Sequence, residues 1–508
     1  MTKMMRAAAI ALAAFASAAA FAEIYIVPRP VEVRETGDLC ALVSPTVGDI
    51  QFANDPSIPA EGYRLTVTRG EIKVRASDDA GRFYALQTIR QLASRRCDDG
   101  TPRVPCVEIN DYPRYSWRGL HLDESRHFFG KAAVKGILDQ MARFKLNRFH
   151  WHLTDDHGWR IAIPSYPEIE ENATWRPFSM KRPGRAGVVG KKKLKSDGKK
   201  YGPYCYTEAD IKEIVAYAKA RHIEVLPEIE FPKHFRAALG AYPNFACFPE
   251  RVGSRGGRGP WGADSEVMCA GNDDAVKFVE DTLDYVCRLF PFGAVHIGGA
   301  DHTNANWAKC PKCQARIDRE GLRRKDGSEA ALYAWLVRRM AAFLTRRGKR
   351  AVCWFDELGR DGLPDGAIGM LWRDNDKNMA AAAAAAARHD MVFCPGGVCA
   401  LSLSQNLKDD PYIYAGAGRT LEMCYAFDPS KGLDGAARDH VLGGQGCLWT
   451  EYTFDRGDAE WKCWPRMMAI AETLWLGEKK PGLEDFKRRA RVQREALVKD
   501  GVNVAPVN

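Results

Sequence analysis

Long apolar runs are absent from almost all of this 508-residue sequence. The exception is the start, where Lys3 and Arg6 precede an Ala-rich apolar run that ends in small residues, the order of a cleavable export signal. A retained anchor is the weaker alternative, because this run is short and Ala-rich, and no later segment reaches the roughly 20 apolar residues of a membrane-spanning helix. We therefore predict a signal peptide over residues 1–22, a mature chain that begins near Glu23 without an integral membrane segment, and export to a periplasmic or extracellular location.

The sequence contains one CxxC motif without the second pair of ligands that a zinc-finger site requires. Cys310 and Cys313 have half the spacing of a zinc site, but neither another CxxC nor a His pair at finger spacing follows them. We therefore expect a local disulfide or two thiols there, and we predict no metal and no cofactor. All 15 cysteines follow the proposed signal peptide, so an oxidising compartment would leave at least one of them unpaired.

Aromatic residues are absent from the most basic stretch, KRPGRAGVVGKKKLKSDGKK. It lies within residues 176–200, which contribute much of the formal net charge of +9 and show no hydrophobic periodicity. Nucleic-acid binding would require aromatics among the basic residues, so we predict a solvated loop and no nucleic-acid partner. An acidic glycan or an anionic surface is the remaining alternative for this loop.

Two patterns divide the rest of the chain. Residues 23–112 alternate apolar and polar positions in short runs before an amphipathic stretch, which predicts a small N-terminal α+β domain. Over residues 113–480, buried β-like runs alternate with longer helical patterns, as in βα units around a parallel sheet. Residues 481–508 are predicted to form a C-terminal helical tail.

The β-like runs number eight, which is the number of strands that closes an α/β (β/α)8 TIM barrel. They are residues 119–123, 148–153, 224–230, 294–299, 351–357, 368–373, 391–395 and 443–449. Helices are predicted over residues 131–145, 207–221, 273–290 and 330–347, and over the Ala-rich run 380–387. The chain is therefore expected to contain one large barrel.

Polar and aromatic residues follow the carboxyl ends of these runs, where such barrels place their chemistry. They are His152, Asp155, Asp156, Glu228, Glu230, Asp301, His302, Trp354, Glu357, Trp372, Trp449 and Glu451. Each alone is compatible with a structural role. Three tryptophans and several carboxylates at one mouth, however, favour a carbohydrate ligand, because the apolar faces of sugars stack on aromatic rings.

Six ordered motifs resemble those of glycoside hydrolase family 20, the β-N-acetylhexosaminidases, from about residue 112 to 475. They read YPRYSWRGLHLDESRHF, KLNRFHWHLTDDHGWR, EVLPEIEFPKH, VHIGGADH, WFDE and GGQGCLWTEY. The preceding domain also resembles the one that precedes the barrel in this family. The resemblance implies an exo-acting hydrolase that removes terminal β-linked hexosamine-like sugars from a glycan substrate.

The resemblance also implies an altered catalytic pair. In that family the 2-acetamido oxygen attacks the anomeric carbon, a Glu protonates the leaving oxygen, and the preceding Asp orients the acetamido group. Without a gap, Ala300 replaces this Asp and Asp301 replaces the acid; with one inserted residue, Asp301 orients the group and His302 replaces the acid. The spacing to Trp307 and to the CxxC motif favours the ungapped alignment, which makes Asp301 the predicted acid.

Other roles are implied in the same way. Asp155 and His234 match the relay that orients the acid, Arg118 and Glu451 match the residues that hold the sugar hydroxyls, and His152 is a further candidate for substrate binding. Trp354, Trp372 and Trp449 match the walls of the pocket. Ala400 and Ser402 stand where the family commonly has a Tyr and an Asp or Asn that hold the acetamido group.

Three interpretations remain open at this stage. The first is an active hydrolase with an altered 2-substituent preference, in which Glu228, Glu230 or His302 supplies a general base or nucleophile beside Asp301. The second is a catalytically impaired member that binds carbohydrate. The third, an adhesin that docks through the basic loop, leaves the barrel mouth unexplained. The sequence does not indicate an oligomeric state.

Overall fold

The computed structural model describes residues 24–41, 50–93, 103–182, 187–189, 195–253, 255–299, 305–358, 362–405, 410, 412–414 and 418–508. The predicted signal peptide and the predicted acid Asp301, with Ala300 and His302, lie outside these residues. The chain divides into two compact units, residues 1–113 with 484–496 and residues 114–483 with 497–508. Over the described part of the chain, no helix is both long enough and apolar enough to cross a bilayer.

Among the residues that the structure describes before residue 113, the first unit contains a five-stranded sheet and one helix. The strands are β1 Glu32–Ala41, β2 Ile50–Asn54, β3 Tyr63–Val67, β4 Ile72–Ala76 and β5 Arg103–Asp111, in the order β1-β5-β3-β4-β2, and helix α1 is Asp79–Leu92. Burial alternates along β4, because successive side chains of a strand point to opposite faces of the sheet. The side chain of Asp78 begins α1 by accepting from Gly81 N at 2.8 Å. The predicted small α+β domain is confirmed.

The second unit is built around a closed barrel of eight parallel strands. Its strands are β6 Trp117–Asp123, β7 Arg148–His152, β8 Thr154–Asp155, β9 Gly158–Trp159, β10 Gly187–Val189, β11 Glu224–Glu228, β12 Ala294–His296, β13 Arg350–Trp354, β14 Ile368–Leu371, β15 Met391–Phe393, β16 Tyr412–Tyr414 and β17 Val441–Leu448. The barrel closes as β6-β7-β11-β12-β13-β14-β15-β17, and the two short pairs β8-β9 and β10-β16 lie outside it. Each predicted run overlaps one barrel strand, so the predicted barrel is confirmed.

Helices connect these strands. They are α2 Lys131–Arg143, α3 Pro167–Asn172, α4 Glu208–Lys219, α5 Arg236–Ala241, α6 Asp273–Leu289, α7 Ala305–Lys309, α8 Pro311–Arg319, α9 Ser328–Thr345, α10 Asp376–Ala386, α11 Gly396–Cys399, α12 Leu421–Tyr425, α13 Gly435–Asp439, α14 Arg456–Cys463, α15 Arg466–Leu476 and α16 Leu483–Lys499. Thr207 and Asp210 form a capping box that begins α4, and the Asn272 side chain caps α6. Residues 484–496 of α16 belong to the first unit.

The burial of the barrel strands explains why the barrel could be predicted from the sequence. Every residue of β14 (IGML) and of β15 (MVF) is buried, as expected where a parallel sheet has both faces covered, so neither sequence shows the polar alternation of β4. Such strands appear as continuous apolar runs, and the polar residues that follow them mark the end of the barrel at which the candidate site lies.

The basic segment differs from the predicted solvated loop at its first residue. Arg176 is fully buried, its guanidinium lies 3.8 Å from the centre of the Tyr201 ring, and Nη2 donates to Ser179 Oγ at 2.8 Å. Burial lowers the pKa of Arg176 to about 9. Lys199 and Lys200 are exposed, as a solvated loop requires. Aromatic and hydroxyl partners therefore keep Arg176 in the core.

Candidate active site

A cavity of about 630 Å³ opens at the carboxyl ends of the barrel strands. The resemblance matches eight residues to catalytic or sugar-holding positions of the family, and six of them line this cavity: Asp155, His234, Trp354, Trp372, Trp449 and Glu451. The other two are Asp301, which lies outside the described residues, and Arg118, which lies elsewhere. The cavity therefore brings together most of the site residues expected from the sequence, and residues that were not predicted complete its lining.

Arg118 does not reach the cavity, so its predicted role in holding sugar hydroxyls is wrong. It is the second residue of β6 and lies about 16 Å along the strand from Asp123, at about 3.3 Å per residue. Its side chain is fully buried, with Nε donating to Lys145 O at 2.9 Å and Nη1 to Tyr115 O at 2.8 Å. Arg118 thus stabilises the amino-terminal end of the barrel.

Arg126, three residues after β6 ends, is the arginine of the YPRYSWRGLHLDESRHF motif that lines the cavity. Its Nη2 lies 2.8 Å from Asp155 Oδ2 and its Nη1 3.3 Å from Asp123 Oδ2. Its guanidinium is 5.1 Å from the centre of the Trp449 ring. Burial opposes the charge, but Asp155, Asp123 and Glu451 raise the pKa of Arg126 above its ordinary value. A fixed cation therefore stands beside the Glu451 carboxylate in the cavity.

The two adjacent aspartates after β7 have different partners. Asp156 Oδ2 lies 3.1 Å from His234 Nδ1, whereas Asp155 Oδ1 lies 3.4 Å from the same nitrogen. Burial raises the pKa of Asp155, but Arg126 and His234 outweigh it and hold that pKa well below its ordinary value. Asp156 thus makes the closer contact that orients His234, and Asp155 also fixes Arg126.

His152 lies beneath the cavity and does not line it, so the predicted direct contact with substrate is corrected. It is fully buried, with Nδ1 2.5 Å from Glu228 Oε2 and Nε2 3.1 Å from Asp155 Oδ2. Its ring centre lies 5.0 Å from that of Trp449. Burial lowers the pKa of His152, but Glu228 and Asp155 together raise it to about 10. A charged His152 therefore links the cavity floor to the barrel core.

Glu228 and Glu230, two of the candidate second groups, differ sharply. Glu228 does not line the cavity; its carboxylate lies 3.1 Å from both His150 Nε2 and His296 Nδ1 and accepts from Trp354 Nε1 at 2.8 Å. Burial raises the pKa of Glu228, but His152 and His296 hold it well below its ordinary value. Glu228 is therefore a buried anion that holds the core together.

Glu230 lines the cavity, and its Oε1 accepts from Gly299 N at 2.7 Å. Burial and the nearby Glu228 raise the pKa of Glu230 well above its ordinary value. Gly298 makes this approach possible, because a Cβ there would lie 2.6 Å from Glu230 Cδ. A neutral carboxyl group is suited to donating a proton or a hydrogen bond and is poorly suited to nucleophilic attack.

Two tryptophan walls are fixed by carboxylates that the sequence did not assign to them. Glu228 accepts from Trp354 Nε1, and Asp356 accepts from the backbone N–H groups of Trp372 and Arg373, both at 3.1 Å. The Trp354 and Trp449 ring centres are 6.1 Å apart. Burial raises the pKa of Asp356 to about 6. The walls are therefore preorganised for stacking on a sugar.

Small side chains line the part of the cavity near the seventh and eighth strands. Ala400 and Ser402 both line it, and Ala400 forms a parallel bridge with Cys447 of β17. Arg373 and Arg419 border the same cavity. Among these described residues, neither a phenol nor an amide stands at the two positions that the resemblance assigned to the acetamido group.

Fold and cavity together define a carbohydrate-active (β/α)8 protein, since three tryptophans, three arginines and several carboxylates share the mouth of the barrel. The catalytic-domain model of glycosyl hydrolase family 20 matches residues 115–478, and the model of that family's domain 2 matches residues 16–112. This chain belongs to glycosyl hydrolase family 20.

Individual relatives agree with this membership. A beta-hexosaminidase of Porphyromonas gingivalis is 34% identical over 93% of this chain, which spans 59% of that relative's length. One of Akkermansia muciniphila is 31% identical over 95% of this chain and 92% of its own length. A crystal structure of a beta-N-acetylhexosaminidase has a TM-score of 0.80 at 29% identity, covering 94% of this chain and 96% of that one. The exo beta-N-acetylglucosaminidase of Vibrio harveyi in complex with N-acetylglucosamine has a TM-score of 0.82 at 25% identity, covering 95% and 78%.

The protonation of His152 predicts a pH-dependent stability. Its pKa rises from about 6.5 in the unfolded chain to about 10 in the fold, so its stabilisation is complete below about pH 6.5 and is lost as the pH rises through about 10. As the pH rises from about 7 to about 10, the free energy of unfolding should therefore fall more steeply for the unaltered protein than for His152→Gln. Urea unfolding at several pH values in this range measures this free energy. His440→Gln is the control, because the His440 side chain is half-exposed. Parallel curves for the unaltered protein and His152→Gln would show that His152 is neutral in the fold.

Proposed function

We propose that this protein is an exo-acting glycosidase that removes terminal β-linked hexosamine-like sugars from glycans, with a 2-substituent preference other than plain acetamide. The names of its relatives support the reaction class, since they include beta-hexosaminidases and an exo beta-N-acetylglucosaminidase. The observation that carries the proposal is a cavity in which the sugar-holding groups are present while Ala400 and Ser402 stand at the acetamido positions. We also propose that the protein is exported, on the pattern of residues 1–22.

Three kinds of group in the cavity suit the body of a pyranose. Arg126 offers a fixed guanidinium and Glu451 a carboxylate, which together match the donors and acceptors of sugar hydroxyls. Trp354, Trp372 and Trp449 offer aromatic surface for the apolar faces of the ring. This part of the site does not depend on what the 2-position carries.

The acetamido side of the cavity supports the change in preference. A methyl group at Ala400 cannot hydrogen-bond, and the hydroxyl of Ser402 is shorter than an Asp or Asn side chain. If Ala300 stands in place of the orienting Asp, the acetamido oxygen also lacks the carboxylate that would align it for attack. Three changes around one substituent, with the rest of the sugar site kept, favour altered recognition over general decay.

The proton donor remains Asp301 in this proposal, and Glu230 is the candidate for the second group. Glu228 is excluded because it is buried beneath the cavity and already contacts several imidazoles. The neutral carboxyl of Glu230 favours hydrogen bonding to substrate over nucleophilic attack. A water or the substrate itself then supplies the nucleophile.

Incubation with defined β-linked oligosaccharides that end in a glucosamine-type sugar tests the proposal. We expect release of one sugar at a time from the non-reducing end. Mass spectrometry of the products over time measures this release. The alternative, a catalytically impaired member that binds carbohydrate, predicts calorimetrically measurable binding without release. Cleavage within the chain would contradict exo action.

A further inference from the structure

Four cysteines from distant parts of the chain meet outside the cavity. Cys269 Sγ lies 3.6 Å from Cys313 Sγ and 3.7 Å from Cys310 Sγ, and Cys247 Sγ lies 3.8 Å from Cys313 Sγ. All four sulfur atoms lie within 4.8 Å of one another. We call these four residues the cysteine cluster. We propose that the cysteine cluster binds one structural Zn²⁺ ion.

The distances have the values of a zinc–thiolate tetrahedron. Zinc–sulfur bonds of about 2.3 Å in tetrahedral geometry place neighbouring sulfur atoms roughly 3.8 Å apart. The cluster shows three such separations, and Cys269 and Cys313 each have two neighbours at nearly equal distance. Two disulfides would instead draw the sulfurs into two distinct pairs. All four cysteines are free in this structure, so neither Cys310 nor Cys313 forms the local disulfide considered from the sequence.

Burial makes this a closed site. Cys269 and Cys313 are fully buried, Cys310 is 1% exposed and Cys247 is 9% exposed. Four protein ligands without an open position are typical of structural zinc, whereas catalytic zinc keeps one position for water or substrate. Thiolates in tetrahedral geometry also favour zinc over the oxygen-seeking ions calcium and magnesium.

The surrounding backbone holds the ligands in place. Gln314 N donates to Cys310 O at 3.0 Å in the first turn of α8, which fixes the backbone between Cys310 and Cys313. Gly271 brings the loop of Cys269 close to this turn, because a Cβ at Gly271 would lie 2.4 Å from Cys313 N. Cys269 N donates to Phe245 O at 2.8 Å, which joins the loops of Cys247 and Cys269.

The location gives the ion a positioning role. Cys247 and Cys269 lie between β11 and α6, in the connection that also carries His234. Cys310 and Cys313 follow β12, downstream of Asp301. One ion would therefore join the two connections that carry the predicted acid and its orienting histidine, and its binding would release the thiol protons of the cluster.

Metal analysis of the full-length protein, purified without added metal or chelator, tests the proposal. We expect about one zinc per chain, reduced to near zero by Cys269→Ser. Cys463→Ser is the matched control, because Cys463 is a free cysteine only 2% exposed and lies outside the cluster. Cys247→His should retain zinc, since imidazole is also a zinc ligand.

A second measurement applies even if Cys269→Ser does not fold. Unaltered protein unfolded with reductant and chelator, then refolded with Co²⁺, should show the visible and thiolate charge-transfer absorption of tetrahedral cobalt–thiolate. Less than about 0.1 zinc per chain in the unaltered protein, stoichiometric iron instead, or disulfides among the four cysteines after denaturing alkylation would each overturn the proposal.

Discussion

The double substitution Ala300→Asp with Asp301→Glu is expected to raise kcat/KM on N-acetylglucosaminides or N-acetylgalactosaminides at least about tenfold. One preorganised charge-stabilising group typically contributes a hundred- to a thousandfold in rate, roughly 3 to 4 kcal/mol. An acid displaced by about one ångström can cost roughly another hundredfold. The expected gain is modest by comparison, because Ala400 and Ser402 remain unaltered. Steady-state kinetics with chromogenic acetamido glycosides measure it.

A separate variant decides between the two alignments. If one residue is inserted after Gly299, Asp301 is the orienting residue and His302→Glu should restore the acid instead. On the ungapped alignment, His302→Glu gains nothing. The lost-subsite hypothesis fails if the double variant shows no gain while the unaltered protein already cleaves acetamido glycosides at ordinary hexosaminidase rates.

Replacing Arg126 is expected to reduce kcat/KM at least about a hundredfold, whichever 2-substituent the substrate carries. Removing one partner of a buried, hydrogen-bonded charge pair costs roughly 2 to 5 kcal/mol, and Arg126→Ala takes the guanidinium away from Asp155 and Asp123. Arg126→Lys should recover only part of the loss, because an ammonium cannot reproduce the planar fork. Kinetics on two substrates that differ at the 2-position measure the effect.

Arg118→Lys is the control for this series. It removes hydrogen bonds at the opposite end of β6 and should lower the melting temperature while kcat/KM of the folded fraction stays within about twofold of the unaltered protein. A large kinetic loss in Arg118→Lys with an unchanged melting temperature would contradict the assignment of Arg126, in place of Arg118, as the arginine that holds the sugar hydroxyls.

The barrel was predictable because strands buried on both faces leave continuous apolar runs, and their ends mark the site. The arginine of the site shows where prediction from the sequence failed, because Arg118 was predicted and the structure places Arg126 in the cavity. Both arginines lie in one motif, and only the position along β6 shows that Arg118 lies at the amino end while Arg126 follows the carboxyl end. A rule that counts only residues beyond a strand's last position would have selected Arg126.

Other parts of the site depend on contacts between distant residues. His152 follows the strand-end pattern, yet Glu228 and Asp155 hold it beneath the cavity. The cysteine cluster joins residues 41 and 66 positions apart, so no local spacing motif contains it. The CxxC motif contains two of the four proposed zinc ligands, and the fold brings Cys247 and Cys269 to them.

The most direct test of the central claim compares 2-acetamido, 2-amino, 2-sulfamido and 2-hydroxy chromogenic glycosides on the unaltered protein. A site that holds the sugar ring but has lost its acetamido contacts should give its highest kcat/KM on a substrate other than the 2-acetamido glycoside. A clear preference for the 2-acetamido glycoside, at ordinary hexosaminidase rates, would contradict the account.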